Sequence, residues 1–370
     1  MTKARNIFTI VMLAVGGALL LAGAALFLIG FGLEGWDADA LTNVQYEQHS
    51  YTAQGEIHSV HIRFGNAQVR VKADEGAERV TLSYPVRVDS EGETAVPVTV
   101  TEENGTLTVT EEEDRFPFFQ WGFVQTTPEA VLTLPAGDYT EIAVVSSNGS
   151  LLADTVRAAS LSLQTDNGSV TAREVCADDF SLRTSNGDIE LQRAECKSIT
   201  AETNAGSITA DGVTVSGALA LSSDLGDIRM KDIAAGSLSS ETEAGALTLE
   251  GADIAGEADL QTDLGEIRVR GARAASAALT TDLGTVDAEI DAREVRLTCS
   301  AGEIRAALAG TKEDYTIRVQ TELGDCNVVD PFADGDDGTG QYPRGIYGLN
   351  GVLCAAEYPQ NAAGREMNRE

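Results

Sequence analysis

From Ile142 onward, apolar residues return at fixed places around a recurring glycine. Two positions after it stand Leu151, Val170, Ile189, Ile208, Ile228, Leu247, Ile267, Val286, Ile304 and Cys326. Five before it stand Leu163, Leu182, Leu221, Leu260 and Leu279, and seven before it Ile142, Leu161, Phe180, Ile199, Leu219 and Leu238. Offsets of two between positions of one kind place alternate side chains on one face, which is the geometry of a strand and not of a helix. The glycines are Gly149, Gly168, Gly187, Gly206, Gly226, Gly245, Gly265, Gly284, Gly302 and Gly324, spaced 18 to 22 residues apart. Short strands and tight turns repeated at that period predict an all-β chain, a parallel β-helix or β-solenoid of about ten ~19-residue coils. Each coil buries its apolar face only against its neighbours.

The polar positions fit the same geometry. Asn-Gly at 148–149, 167–168 and 186–187 suits a corner with positive φ. Three residues before the glycines come Ser146, Thr165, Thr184, Thr203, Ser223, Thr242, Thr262 and Thr281. Stacking turns that column into a ladder of hydroxyls, each able to bond its neighbour or the turn backbone.

Upstream the pattern is strand-like but irregular. Val60–Phe64 and Gln68–Val71 alternate apolar and polar residues around Gly65-Asn66, and Asn104-Gly105 reads as a hairpin turn. Gly65 and Gly105 are candidate early versions of the repeat glycine. Residues 46–140 are therefore expected to form a β-rich N-terminal cap with irregular first coils, and residues 141–330 the regular solenoid. After Asp330 the period is lost, and residues 331–370 are expected to form an irregular C-terminal cap and tail.

The first 45 residues belong to a different class. Ile7–Leu33 is uncharged throughout, preceded by Lys3 and Arg5 and followed by Glu34, Asp37 and Asp39. At ~1.5 Å per residue it reaches ~40 Å as a helix, enough to cross a bilayer. This predicts a transmembrane helix over 7–33, a cytoplasmic end over 1–6, a linker over 34–45, and all the rest outside the cytoplasm. A cleaved signal peptide is the competing reading, with Ala38-Asp39-Ala40 as its cleavage site.

Charge changes the picture of possible partners. Against 58 acidic residues stand 26 basic ones, for a net charge of −32. Such a surface repels nucleic acid and anionic lipid and attracts metal ions, basic proteins and cationic peptides; it also keeps a stacked chain soluble. The five cysteines form no disulfide framework. Cys176 and Cys196, about one period apart, are either neighbours able to form a disulfide or apolar fillers.

Acids recur in two columns. Asp224, Asp263 and Asp282 share one repeat position with Glu243 and Glu322; Asp188, Asp227, Glu266, Glu303 and Asp325 share another. Stacked carboxylates ~5 Å apart repel one another unless a cation or water intervenes. Asp224, Asp263 and Asp282 are thus candidates for weak calcium binding, the alternative being solvated turn residues. No other cofactor is expected. His49, His58 and His61 precede the solenoid, and no nucleophile elbow, P-loop or Cys-x-x-Cys pair is present. The run Phe116, Phe118, Phe119, Trp121 and Phe123 follows Glu111–Asp114. It reads as a partner-binding loop, a contact with the outer leaflet, or a plug over the open end of the stack.

The anchor, the Leu132-Thr133-Leu134-Pro135 phrase and the serial Thr-x-x-Gly-x-Ile turns resemble the bacterial "putative adhesin" family, a β-strand-repeat domain of unknown function. Over roughly residues 45–330 the resemblance implies a surface-exposed β-solenoid, adhesive or linked to envelope stress, with no catalytic motif to carry over. Together these readings predict a membrane-anchored binding or scaffold protein of the cell envelope, without catalysis. Its expected partners are the membrane through Ile7–Leu33 and cationic peptides or cell-envelope proteins, not nucleic acid. A carbohydrate-cleaving β-helix enzyme is the alternative.

Overall fold

The computed structural model describes residues 22–23, 45–88, 93–112, 128–308, 316–323 and 326–329. The predicted membrane segment Ile7–Leu33 lies outside them, but for Ala22 and Gly23. Among the described residues no helix is long and apolar enough to cross a membrane. The chain divides into two compact units, one of Met1–Gln48, Pro85–Pro97 and Glu112–Thr127, the other of His49–Tyr84, Val98–Glu111 and Pro128–Glu370. In the first, Arg87 pairs antiparallel with Val96 across a register shift, and Val86, Val88 and Val96 are buried. The described residues of the second unit that form regular elements are all in strands, and they hold the coil stack.

Each regular coil has a long strand, a corner, a short strand and a second corner. Arg157–Asn167 lies parallel to Cys176–Asn186 so that Leu163 meets Leu182, Thr165 meets Thr184 and Asn167 meets Asn186. The short strands follow suit, with Leu151, Val170, Ile189 and Ile208 in one file. Like therefore stacks on like, and the register is one repeat. Columns read from the sequence as inward are inward: Val170, Ile208, Ile228, Leu247, Ile267, Val286 and Ile304 have no accessible surface, and Leu161, Leu182 and Leu260 are buried with them. Fully burying one such side chain contributes about 1.5–3 kcal/mol. Ser240 stands in a column otherwise apolar, and its buried hydroxyl has no hydrogen-bond partner.

The hydroxyl column is buried and bonded to backbone. Thr165 donates to the Gly149 carbonyl at 2.9 Å, Thr184 to Gly168 at 2.9 Å and Thr203 to Gly187 at 2.9 Å. Ser223, Thr242, Thr262 and Thr281 continue the series to the carbonyls of Gly206, Gly226, Gly245 and Gly265. Each bond joins one coil to the corner of the coil before it. Thr203→Val keeps the shape and strands the Gly187 carbonyl; urea unfolding is expected to show a loss of about 1–3 kcal/mol.

The corner glycine answers to crowding more than to dihedral angle. Four of the nine from Gly149 to Gly302 have φ of 154–157°. All nine share a different constraint: a Cβ would lie only 1.7–2.4 Å from the carbonyl oxygen of the corner residue stacked beneath. The positive φ expected at the Asn-Gly corners is found at Gly168 and Gly187, and the second corner carries it as well. There Thr155, Glu174, Arg193, Gly212, Asp232, Gly251 and Gly271 form a left-handed column with φ of 50–65°. The 20-residue steps arise at bulges: Val215–Leu219 spans one residue more than Cys196–Ile199 beneath it, and Ala235–Leu238 is followed likewise by Ile254–Ala258.

Stacking order departs from chain order at the start. Ser59–Phe64 lies between Thr106–Glu111 on one side and Tyr139–Asn148 on the other. Gln68–Asp74 lies between Glu129–Pro135 and Leu151–Asp154. The pair of strands Thr106–Glu111 and Glu129–Pro135 thus lies outside the pair that precedes it in the chain. Its open edges are covered by antiparallel strands, Val98–Glu103 on Thr106–Glu111 and Thr81–Ser83 on Val131–Thr133. An uncovered edge would offer free N–H and C=O groups to another chain. Asn104 and Gly105, at φ 51° and 77°, make the hairpin turn. Gly105 is therefore no repeat corner, and Ala67, not Gly65, lies beneath Gly149. Glu102 pins this cap, accepting from the Gln54 and Gly55 amides and the Tyr51 hydroxyl, which holds its carboxyl below the usual range.

Candidate functional site

The inner face of the stack is filled with side chains, so any site must lie on the outside. The Thr-x-x-Gly corner decides what the outside offers. Its threonine points in, and the chain then turns, so the next two residues both face solvent. One of these two columns holds the residue just before the glycine. In the early coils it is an asparagine ladder: Asn148 donates to Asn66 at 2.9 Å, Asn167 to Asn148 at 3.0 Å and Asn186 to Asn167 at 3.1 Å. From Ala205 the same column turns apolar, running Ala205, Leu225, Ala244, Leu264, Leu283 in register. Leu225, Leu264 and Leu283 are 59%, 52% and 55% exposed, and they are the only large hydrophobic residues so exposed among the described ones.

The other outward column carries Asp224, Glu243, Asp263 and Asp282, in successive coils ~4.8 Å apart. Among the described residues the side chains of Asp224, Glu243 and Asp263 have no hydrogen-bond or ion-pair partner, and that of Asp282 accepts only from the Ser300 hydroxyl, at 3.1 Å. The second acidic column, just after the glycine, is already engaged. Asp188 accepts the Ser207 amide at 2.8 Å and Asp227 the Ala246 amide at 2.9 Å. Asp227, Glu266 and Glu303 pair with Arg229, Arg268 and Arg305, two residues along each strand. The sequence placed the two columns on equal terms, and the structure separates them into a neutralised row and an uncompensated one. Elsewhere cross-coil pairs such as Arg183–Glu202, Arg193–Glu174 and Lys197–Asp178 balance exposed acids. Such exposed pairs add little stability. Among the described residues, the row from Asp224 to Asp282 is one place where acids stand together without a basic partner.

The candidate cation ligands Asp224, Asp263 and Asp282 all fall in that row. Among the described residues no three His, Cys, Asp or Glu side chains converge as a metal site would require. The aromatic residues Phe116, Phe118, Phe119, Trp121 and Phe123 lie outside the described residues. His61 lies 3.1 Å from Glu141, and His58 is exposed beside Gly105.

Cys196 faces the core beside Ala177, while Cys176 pairs in register with Glu195 on a half-buried face; both thiols are free. Burial pushes the Cys196 thiol up to about 11. Arg270, Asp287, Glu289 and Arg305 line a charged recess. Its arginines are spoken for: Arg270 is paired with Asp287 and Arg305 with Glu303. Asp259 has its carboxyl raised by burial and then by Glu257.

A family model described as Toastrack DUF4097 matches residues 57–224 and again 197–341. No curated protein matches the chain. Among solved structures, a "putative adhesin" from Bacteroides fragilis NCTC 9343 is 12% identical, with 77% of this chain and 97% of that chain covered and a TM-score of 0.33. A "putative adhesin" from Parabacteroides distasonis ATCC 8503 is 12% identical, with the same coverages and a TM-score of 0.34. A "putative lipid binding protein" from the same organism is 12% identical, with 78% and 97% covered and a TM-score of 0.30.

Proposed function

We propose that this chain, which belongs to the Toastrack DUF4097 family, is a non-catalytic binding protein of the bacterial cell envelope that captures cationic peptides on its acidic outer surface. In this reading Ile7–Leu33 anchors it in the membrane and the β-solenoid stands outside the cytoplasm. The observation that carries the reading is the stacked, uncompensated row of Asp224, Glu243, Asp263 and Asp282 in a chain of net charge −32. Like charges held ~4.8 Å apart by the coil repeat raise one another's energy. A polycation relieves that repulsion, so its binding gains from every coil it spans. Calcium at the same row would act as a weak competitor, not as a resident cofactor.

The test is equilibrium binding of an oligolysine peptide to the full-length chain in discs of zwitterionic lipid, with empty discs subtracted. Affinity is expected to fall about tenfold or more between roughly 0.02 M and 0.3 M salt, as the screening length shrinks. Oligolysine that fails to bind even at low salt overturns the reading.

A further inference from the structure

The charge row explains attraction to a cation but not the leucines beside it. Leu225, Leu264 and Leu283 are the only strongly exposed large apolar side chains among the described residues, and all three occupy one column. Chance exposure scatters apolar residues singly over a surface; a file of them marks a place that something covers. The column also has a polar solution available to it. Asn148, Asn167 and Asn186 fill it in earlier coils and bond to one another along the stack. Where the leucines replace them, that hydrogen-bonded ladder is given up and the apolar side chains stay more than half exposed.

We propose that the Leu225–Leu283 file and the adjoining Asp224–Asp282 row together form a docking surface for a basic amphipathic helix lying along the stacking direction. This rests on the electrostatic reading above and names the shape of its ligand. An α-helix advances ~5.4 Å per turn against ~4.8 Å per coil, so one helical turn meets one coil. The mismatch of ~0.6 Å per turn accumulates to only ~2.4 Å over four coils. An extended strand presents like side chains every ~6.7 Å and falls out of step within two coils. Apolar residues of the helix at i, i+4, i+7 and i+11, one per turn, would cover Leu225, Ala244, Leu264 and Leu283. Lysines and arginines on one flank would reach Asp224, Glu243, Asp263 and Asp282. Other occupants fit less well. A second copy of this chain would bring like-charged rows together, and an anionic lipid surface would be repelled by the same carboxylates.

The experiment compares two peptides of about 18 residues with identical lysine and leucine content, one patterned with leucines on a single helical face and one scrambled. The full-length chain is held in zwitterionic lipid discs, with empty discs subtracted. The native chain is expected to bind the patterned peptide about tenfold more tightly than the scrambled one, a difference of ~1.4 kcal/mol. In Leu225→Ser/Leu264→Ser/Leu283→Ser the preference vanishes while scrambled-peptide binding stays as it was. Circular dichroism checks that these surface substitutions leave the fold intact. Equal binding of both peptides by the native chain, or an undiminished preference in the triple variant, overturns the docking surface and leaves electrostatic capture standing. Absence of binding by either peptide overturns both.

Discussion

Gly206→Ala is expected to destabilise the solenoid by more than about 3 kcal/mol. The added Cβ would lie 2.0 Å from the Gly187 carbonyl oxygen and 2.5 Å from its carbon. Neither side can retreat. The Gly187 carbonyl is held by the Thr203 hydroxyl at 2.9 Å, and the Gly206 amide donates to Leu225 in the next coil at 3.0 Å. Relief requires prising two coils apart, and in a stack stabilised only by nearest-neighbour contacts that opens the whole interface. Gly271→Ala is the control. It has φ +62° but nothing within 4 Å of a new Cβ, so it bears only the dihedral cost of about 1–2 kcal/mol. Urea unfolding of both variants checks the argument; equal losses would mean that dihedral angle, and not stacking distance, selects glycine at these corners.

Phe180→Ala is expected to cost about 3–5 kcal/mol. Phe180 is 2% exposed and is the only phenylalanine between residues 141 and 308. It stacks in register between Leu161 and Ile199. Backbone ladders on both sides fix the coil spacing, so the core cannot collapse to fill the hole. Phe180→Leu, which leaves a smaller void, should cost under about 2 kcal/mol. Chemical denaturation of the two variants distinguishes this from a locally soft core, in which both would lose the same small amount.

Much of the interior was legible because it is written in local, repeated spacing. The columns of Val170, Leu182 and Phe180, and the hydroxyls from Ser146 to Thr281, could be assigned inward from offsets of two and three around a glycine. What lay beyond reach depends on contacts between coils. The crowding at Gly206 involves a carbonyl 19 residues away, so the sequence suggested a dihedral reason instead. The left-handed second corner is filled by Thr155, Glu174, Arg193 and Asp232 as often as by glycine; Gly212, Gly251 and Gly271 were the signal that could have revealed it. The insertion of residues 59–74 between two later coils is a non-local pairing that no pattern of spacing encodes.

The candidate site was half legible. Both acidic columns are visible as sequence, yet only the structure shows that Asp227, Glu266 and Glu303 have arginine partners while Asp224, Glu243 and Asp263 have none. The leucines before Gly226, Gly265 and Gly284 were in plain view as part of the repeat phrase. Their exposure follows from a corner that turns two successive residues outward, which alternation alone does not foresee.

The most direct measurement is the salt dependence of oligolysine binding by the full-length chain and by its Asp224→Asn/Glu243→Gln/Asp263→Asn/Asp282→Asn variant. A capture surface at the uncompensated row predicts binding that weakens steeply with salt in the native chain. In the variant, binding should be weaker at low salt and visibly flatter in its salt response. Identical curves for the two proteins, or native binding indifferent to salt, would contradict the account.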